Sequence, residues 1–451
     1  MRKTILFIAT FLFTFSVMAQ NPREEWRQEN HKAKPESPDQ KKADQKVRIT
    51  PYGFVRNYFT YDSRKTYTVL DGEYNMQPYD VNWNLTETEA AASGLERTDL
   101  NAVPSASLLA ITTRVGLNLD GPIIWGAKST GKIEGDFAGF GTNNYVVRLR
   151  HAFVQLDWQS KGKLLVGQYW HPLSGDIMPE VLGMAAGAPF RAHSRTPQIS
   201  YQVSKGRIGI AASLLSQLQY VSNGPSGASY SYLYNALVPE AFCGINYKTE
   251  HVYAQLGVDA LTLRPRVQAV QGSYVVPVSD KIFSVTPTFY FQYVEPKFSL
   301  KFRTIYAQNT THVNQLNGYA VINELADGSW EYMPMRASIN YLNLRYGGKV
   351  RLNLFLGYMK NFGVDGELHN FGTTASPSYH IYSKGGFTNI NSVYRIAPSL
   401  SYNIKAFNFG VEYEMTTATY GDLASNGSIL NNDNLRAVTN HRICVLMKYN
   451  F

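Results

Sequence analysis

The sequence predicts an all-β fold, a sixteen-stranded antiparallel transmembrane β-barrel, and three observations lead there. Apolar residues recur at every second position in segment after segment, and past the N-terminal stretch no apolar run is long enough for a membrane-spanning helix. The connections between those segments alternate strictly between short and long. Aromatic residues reach 13%, with 31 Tyr and 23 Phe in 451 residues, yet mean hydropathy is only −0.25. That balance suits a wall whose aromatic girdles flank a moderate apolar band around a polar interior.

Met1-Arg2-Lys3 is basic, Ile5 to Val17 is apolar, and Ser16-Val-Met-Ala-Gln20 offers a small-residue cleavage site. The stretch 1–19 therefore reads as a secretory signal cut after Ala19, the short apolar run disfavouring a retained anchor. No Cys follows the site, which excludes a lipoprotein anchor. Residues 20–46 are almost purely polar, with charges of both signs and then Pro35 and Pro38. They read as a solvated periplasmic extension.

The barrel is expected over 47–451, its first strand at 47–61 carrying Pro51. The clearest strand is 109–119, where Leu109, Ile111, Thr113, Val115, Leu117 and Leu119 face one way. Segment 127–137 sends Lys128, Thr130, Lys132, Glu134 and Asp136 to a single face, which has to be wet. Further apolar faces run through 208–214, 298–302, 350–358, 396–404 and 407–415, and a weaker strand is expected at 338–346. Short connections fall at 120–126, 159–163, 204–206, 248–251, 294–297, 346–349 and 403–406. Long ones lie near 62–107, 138–144, 171–194, 221–235, 262–281, 308–337, 363–391 and 417–440. Short turns at one rim and long loops at the other give sixteen strands and place both ends of the wall in the periplasm.

The last eleven residues, His441 to Phe451, put Ile443, Val445, Met447, Tyr449 and Phe451 on one face. Arg442, Cys444, Lys448 and Asn450 take the other, with Leu446 the single breach. Alone, this strand suits the edge of a soluble sandwich as well as a membrane wall. A terminal strand ending in Phe resembles the C-terminal assembly signal of bacterial outer-membrane barrels, which makes Phe451 the candidate assembly residue.

Three successive strand motifs carry a further resemblance: Lys132-Ile-Glu-Gly-Asp-Phe-Ala-Gly139, Arg148-Leu-Arg-His-Ala-Phe-Val-Gln-Leu156 and Leu164-Leu-Val-Gly-Gln-Tyr-Trp-His-Pro-Leu173. They resemble the DcaP-like trimeric porins and, more distantly, the phosphate-selective porin O and P family. The close similarity covers about 132–173. It implies a homotrimer in the bacterial outer membrane, among lipid and lipopolysaccharide, passing small anionic solutes such as dicarboxylates or phosphate. His171-Pro172 departs from the small polar residue usual there. The 20–46 extension is too short and Pro-broken for the coiled coil of some relatives.

Net charge is +9, Arg2 and Lys3 leaving with the signal. In an exported chain this balance points to anionic solutes or lipopolysaccharide rather than nucleic acid. Strand parity assigns Arg114, Lys128, Lys132, Arg148, Arg150, Lys301, Arg303, Arg351, Arg395, Arg442 and Lys448 to the lumen, against Glu134, Asp136, Glu412 and Glu414. Such a lining repels cations and admits anions. Across the hairpin, Glu134 and Asp136 come within reach of Arg148 and Arg150, and Arg114 extends the cluster. Loop 171–194, rich in Met178, Val181, Leu182, Met184, Ala185, Ala186 and Phe190, is the candidate constriction loop; the resemblance suggests that it folds inward, bringing Arg191 and Arg195 to the cluster. Its alternative is an extracellular loop packed on its neighbours or a trimer contact. Cys243 and Cys444 fall on the eighth and sixteenth strands, across the barrel, too far apart for a disulfide.

No cofactor is implied, and neither His-Glu-x-x-His nor Cys-x-x-Cys occurs. A barrel lipase would need a Ser partner for His441 or His380, and none is identifiable by spacing. An energy-coupled transporter needs a longer chain. A non-conducting barrel for adhesion or structure remains the alternative to a channel; its mark would be large apolar lumen positions.

Overall fold

The computed structural model describes residues 46–69, 74–139, 146–175, 178–183, 187–385, 387–425, 427 and 434–451. The expected signal 1–19 and all of the extension except Lys46 lie outside them, as do Met184, Ala185 and Ala186. Sixteen antiparallel strands form one closed wall. In chain order they are β1 (Arg48–Asp62), β2 (Ser105–Leu109 and Arg114–Ile124), β3 (Ala127–Asp136), β4 (Arg148–Asp157), β5 (Lys163–Trp170) and β6 (Arg195–Lys205). Then come β7 (Ile208–Leu215), β8 (Glu240–Lys248), β9 (Val252–Leu263), β10 (Ile282–Val294) and β11 (Phe298–Gln308). The wall is completed by β12 (Arg336–Gly347), β13 (Val350–Gly363), β14 (Ile390–Ile404), β15 (Phe407–Tyr420) and β16 (Arg436–Asn450).

Closure pairs β1 with β16, from Phe54 opposite Asn450 to Asp62 opposite Arg442. Gly53 and Phe451 then exchange both backbone hydrogen bonds, each at 3.1 Å. A Cβ on Gly53 would stand 2.5 Å from the Phe451 ring, so glycine is what lets the ring lie there.

The alternation is that of a membrane wall. Along β16, Ile443, Val445, Met447 and Tyr449 are exposed while Arg442, Cys444 and Leu446 are buried. Leu149, Val154, Val166, Leu256, Leu352 and Val411 are likewise exposed, and Gln255, Asn343, Asn353, Ser401 and Glu412 buried. An apolar outside wrapped round a polar inside is stable only in lipid, and closure leaves no open sheet edge there. The barrel is built for the bacterial outer membrane.

Several boundaries differ from the sequence expectation by a few residues, and two of the differences are instructive. Strand 109–119 is interrupted: Ala110–Thr113 form a turn closed by Thr113 N–H on Ala110 O at 3.0 Å. Both halves still pair with β1, where Tyr58 opposes Leu109 and Phe54 opposes Arg114. One extra residue on β2 makes this a bulge, which period-2 counting cannot see. The last strand begins at Arg436 rather than 441, because β15 pairs with it as far as Tyr420.

The long connections are not featureless. Thr66–Val69 pairs with Tyr74–Pro78, Gln268–Gln271 with Tyr274–Pro277, and Tyr319–Glu324 with Trp330–Pro334. A short helix, Glu87–Ser93, starts at a Thr86 capping box with Glu89.

Candidate functional site in the barrel lumen

Loop 171–194 leaves β5 and crosses the lumen. Its base is zipped by His171 N–H on Ser194 O at 3.0 Å and Ser194 N–H on Ser174 Oγ at 2.8 Å. Its far side is held by the opposite wall. Glu180 N–H donates to Asn343 Oδ1 on β12 at 2.7 Å, and the N–H groups of Leu182 and Gly183 donate to Glu412 on β15 at 2.8 and 2.9 Å. Gly410 and Gly357 are the sockets: a Cβ on either would stand 2.4 Å from Leu182 and Phe190 respectively. Leu446, the apolar breach on the polar face of β16, packs with Leu182, Tyr58 and Cys444. The anomaly in the alternation marks the seat of the loop.

A second segment enters beside it. Tyr74, Asn75 and Met76 are fully buried, Asn75 Nδ2 donates to Glu414 at 2.7 Å, and Tyr74 OH lies 2.7 Å from His193 Nε2. Tyr74, Met76, Leu173, Phe190, Val313 and Phe387 share one buried cluster. The extracellular half of the lumen is thus packed with side chains.

The inward basic residues divide into three groups by partner. The first is neutralised by wall carboxylates. Arg148 grips Asp136 with Nε at 2.9 Å and Nη2 at 2.8 Å, and Arg150 bridges Glu134 at 2.7 Å and Asp136 at 2.6 Å. Arg442 holds Asp62 with two bonds of 2.8 Å. The second group holds inward loops by their carbonyls. Arg303 donates to Ser174 O at 2.9 Å, and Arg395 to Ala188 O at 2.7 Å and Asn75 O at 2.8 Å. Arg191 belongs with these, reaching Ser174 O and Gly175 O at 3.4 Å, whereas Arg195 is held by Tyr220 OH at 2.6 Å and His193 Nε2 at 3.3 Å. Both are fully buried, with their guanidinium carbons 5.1 and 4.8 Å from the Trp170 ring centroid.

The third group lines an open cavity of about 580 Å³ under the loop, reaching toward the short-turn rim. Arg56, Arg114, Lys132 and Lys448 stand on one arc of it, Lys301, Arg345 and Arg351 on the other. Among the described residues the carboxylates there are Glu134 and Glu180. Glu134 is shared by Arg150, by Arg114 at 3.5 Å and by Tyr52, whose OH donates at 2.6 Å. Glu180 faces Lys301 at 3.3 Å, Arg345 at 3.5 Å and Arg351 at 3.7 Å.

The geometry therefore brings Arg114, Glu134, Asp136, Arg148 and Arg150 together across the hairpin, as strand parity predicts. It differs over who meets a solute. Arg148, Arg150, Arg191 and Arg195 are buried and do not line the cavity; Arg114, Lys132 and Glu134 do. Burial removes the first four because wall carboxylates, loop carbonyls and, for Arg195, Tyr220 and His193 take the same donors. Sequence reasoning missed Arg56, Arg345 and Glu180. Continued alternation along β1 and β12 was a usable signal for the two arginines; nothing local marks Glu180.

A closed wall with an apolar exterior, short turns at one rim and a loop docked inside is the porin architecture. No family model and no curated protein matches the chain. Among solved structures it is similar to the outer membrane channel DcaP of Acinetobacter baumannii, with 18% identity, a TM-score of 0.64, and 90% of this chain and 97% of that one covered. It is also similar to the anion-selective porin from Comamonas acidovorans, with 13% identity, a TM-score of 0.51, and 90% and 100% covered. At these identities what is shared is the fold, and the porin fold is what the strand motifs of 132–173 led one to expect.

Proposed function

We propose that the protein is an outer-membrane porin through which small anionic solutes, such as dicarboxylates or phosphate, diffuse passively, and that it works as a homotrimer. The observation that carries the reading is the cavity under loop 171–194, where among the described residues seven cationic side chains meet two carboxylates. Both carboxylates are already engaged by cations of the same wall. An entering carboxylate or phosphate finds guanidinium and ammonium donors in a confined space where water screens poorly. A cation meets a field of the wrong sign. Loop 171–194 is the constriction, its position fixed by Glu412, Asn343 and Lys301. Exclusion of wrong ions and loose retention of right ones are the whole mechanism; no bond is made or broken.

The test is the zero-current potential of the purified protein in a planar bilayer under a KCl gradient. Chloride permeating faster than potassium supports the reading, and potassium preference overturns it. A correctly folded barrel without conductance would favour the adhesion or structural alternative.

A further inference from the structure

We propose that His171, Glu240 and His312 form a buried site for a divalent transition ion of borderline softness, such as Zn²⁺, which staples loop 171–194 to the wall. The residues come from distant parts of the chain. His171 stands where the loop leaves β5, Glu240 opens β8, and His312 lies on a short 3₁₀ turn, Thr311–Val313, in the connection after β11. Their ligand atoms all lie within 4.8 Å of one another, and all three residues are at most 2% exposed. Both imidazoles aim Nε2 at the same oxygen, Glu240 Oε1, His171 from 2.6 Å and His312 from 2.9 Å.

A second observation points to a missing positive charge. The carboxyl of Asp259, on β9, abuts that of Glu240. Both residues are buried and within hydrogen-bond reach of each other, and Glu240 Oε2 and Asp259 Oδ1 find no donor group among the other described residues. His312 Nδ1 likewise has no hydrogen-bond partner among them, so it is free to keep a proton while Nε2 binds an ion. Two abutting carboxyls in a dry site need either a shared proton or a cation between them. Two imidazoles and one or two carboxylates are the donor set of zinc and its neighbours, whereas calcium and magnesium prefer oxygen alone.

Binding has a structural consequence. Metal–ligand bonds of about 2.0–2.1 Å put tetrahedral ligands roughly 3.4 Å apart, so Glu240 Oε1 has to retreat by about 0.8 Å from His171 and about 0.5 Å from His312. His171 Nδ1 accepts Leu173 N–H at 3.1 Å, and that contact is given up once the ring proton moves to Nδ1. Burial also means that the ion enters during folding.

The experiment uses full-length protein without a histidine tag, refolded in detergent with Zn²⁺ or Co²⁺ and freed of loose metal by gel filtration. About one zinc per folded chain is expected by mass spectrometry, with a visible Co²⁺ absorption band of a four- or five-coordinate ion. His312→Ala should weaken retention at least about tenfold. His251→Ala, at the β8–β9 turn, should leave it unchanged. Equal zinc in wild type and His312→Ala overturns the proposal. So does a folded wild type without zinc or the cobalt band, which leaves a proton shared by Glu240 and Asp259. Because the cobalt band is read on the wild type, the test survives a variant that fails to fold. Metal content is also independent of whether the barrel conducts anions.

Discussion

The extracellular and periplasmic halves of the lumen are lined by the same kinds of residue on the same strand faces, and they behave as different solvents. Arg303 and Lys301 are two residues apart on β11, and both point inward. Arg303 spends its donors on the carbonyls of Ser174 and Pro172. Lys301 reaches Met178 O and Glu180 at the edge of the open cavity. Above the loop the interior is packed like a soluble core; below it Arg56, Arg114, Lys132, Arg351 and Lys448 keep part of their surface open to the cavity, while Lys301 and Arg345 are buried at its edge. Inward parity says which residues leave the lipid. Height along the strand, and what the loops bring to that height, decides whether they stabilise the fold or meet a solute.

The largest effect that separates the halves is expected from a buried pair. Arg148→Gln removes the bidentate partner of buried Asp136, which keeps Arg150 at 2.6 Å, and should lower stability by about 1.5–3 kcal/mol. Arg351→Gln, exposed to the cavity, should change it by less than about 1 kcal/mol. Urea unfolding in detergent micelles measures both, and equal losses would erase the distinction. Next in size is the loop seat. In Gly410→Val the new side chain meets Leu182 and should lift the loop tip off Cys444. A water-soluble thiol reagent should then label Cys444 far faster than in wild type. Cys243 shares the lipid-facing side of β8 with Ile245, where detergent shields it from such a reagent, so the signal is read at Cys444, and unchanged labelling would mean that the tip does not cover this spot. The smallest effect concerns the seam. Deleting Phe451 removes two backbone bonds to Gly53 and a ring against the first strand, so outer-membrane yield should fall while export continues. Normal yield would make the terminal aromatic incidental.

Much of the wall was legible because it follows from local rules. Alternation and loop parity place each of the sixteen strands, and hairpin register alone brings Glu134 and Asp136 opposite Arg148 and His151. The bulge at Ala110–Thr113 was not legible, since one inserted residue leaves composition unchanged. The site was legible only in sign. Arg395 meets Ala188 across 207 residues of sequence and Leu182 meets Glu412 across 230, and no spacing rule reaches that far. Hence Arg191 and Arg195 read as solute ligands from the sequence and turn out to be buried. Leu446 was visible as an anomaly from the start, and its partner, Leu182, was what the sequence could not supply.

The central claim is that the cavity cations, and not the buried arginines, set permeability. Replacing Arg114, Arg148 and Arg150 together would mix one cavity cation with two members of buried pairs, so the sharper choice is the cavity alone. The zero-current potential of an Arg114→Gln, Lys132→Gln, Arg351→Gln variant in a KCl gradient should move toward that of a cation-preferring channel, with the folded barrel retained on heat-modifiable gels. A folded variant that keeps the wild-type potential would contradict the account.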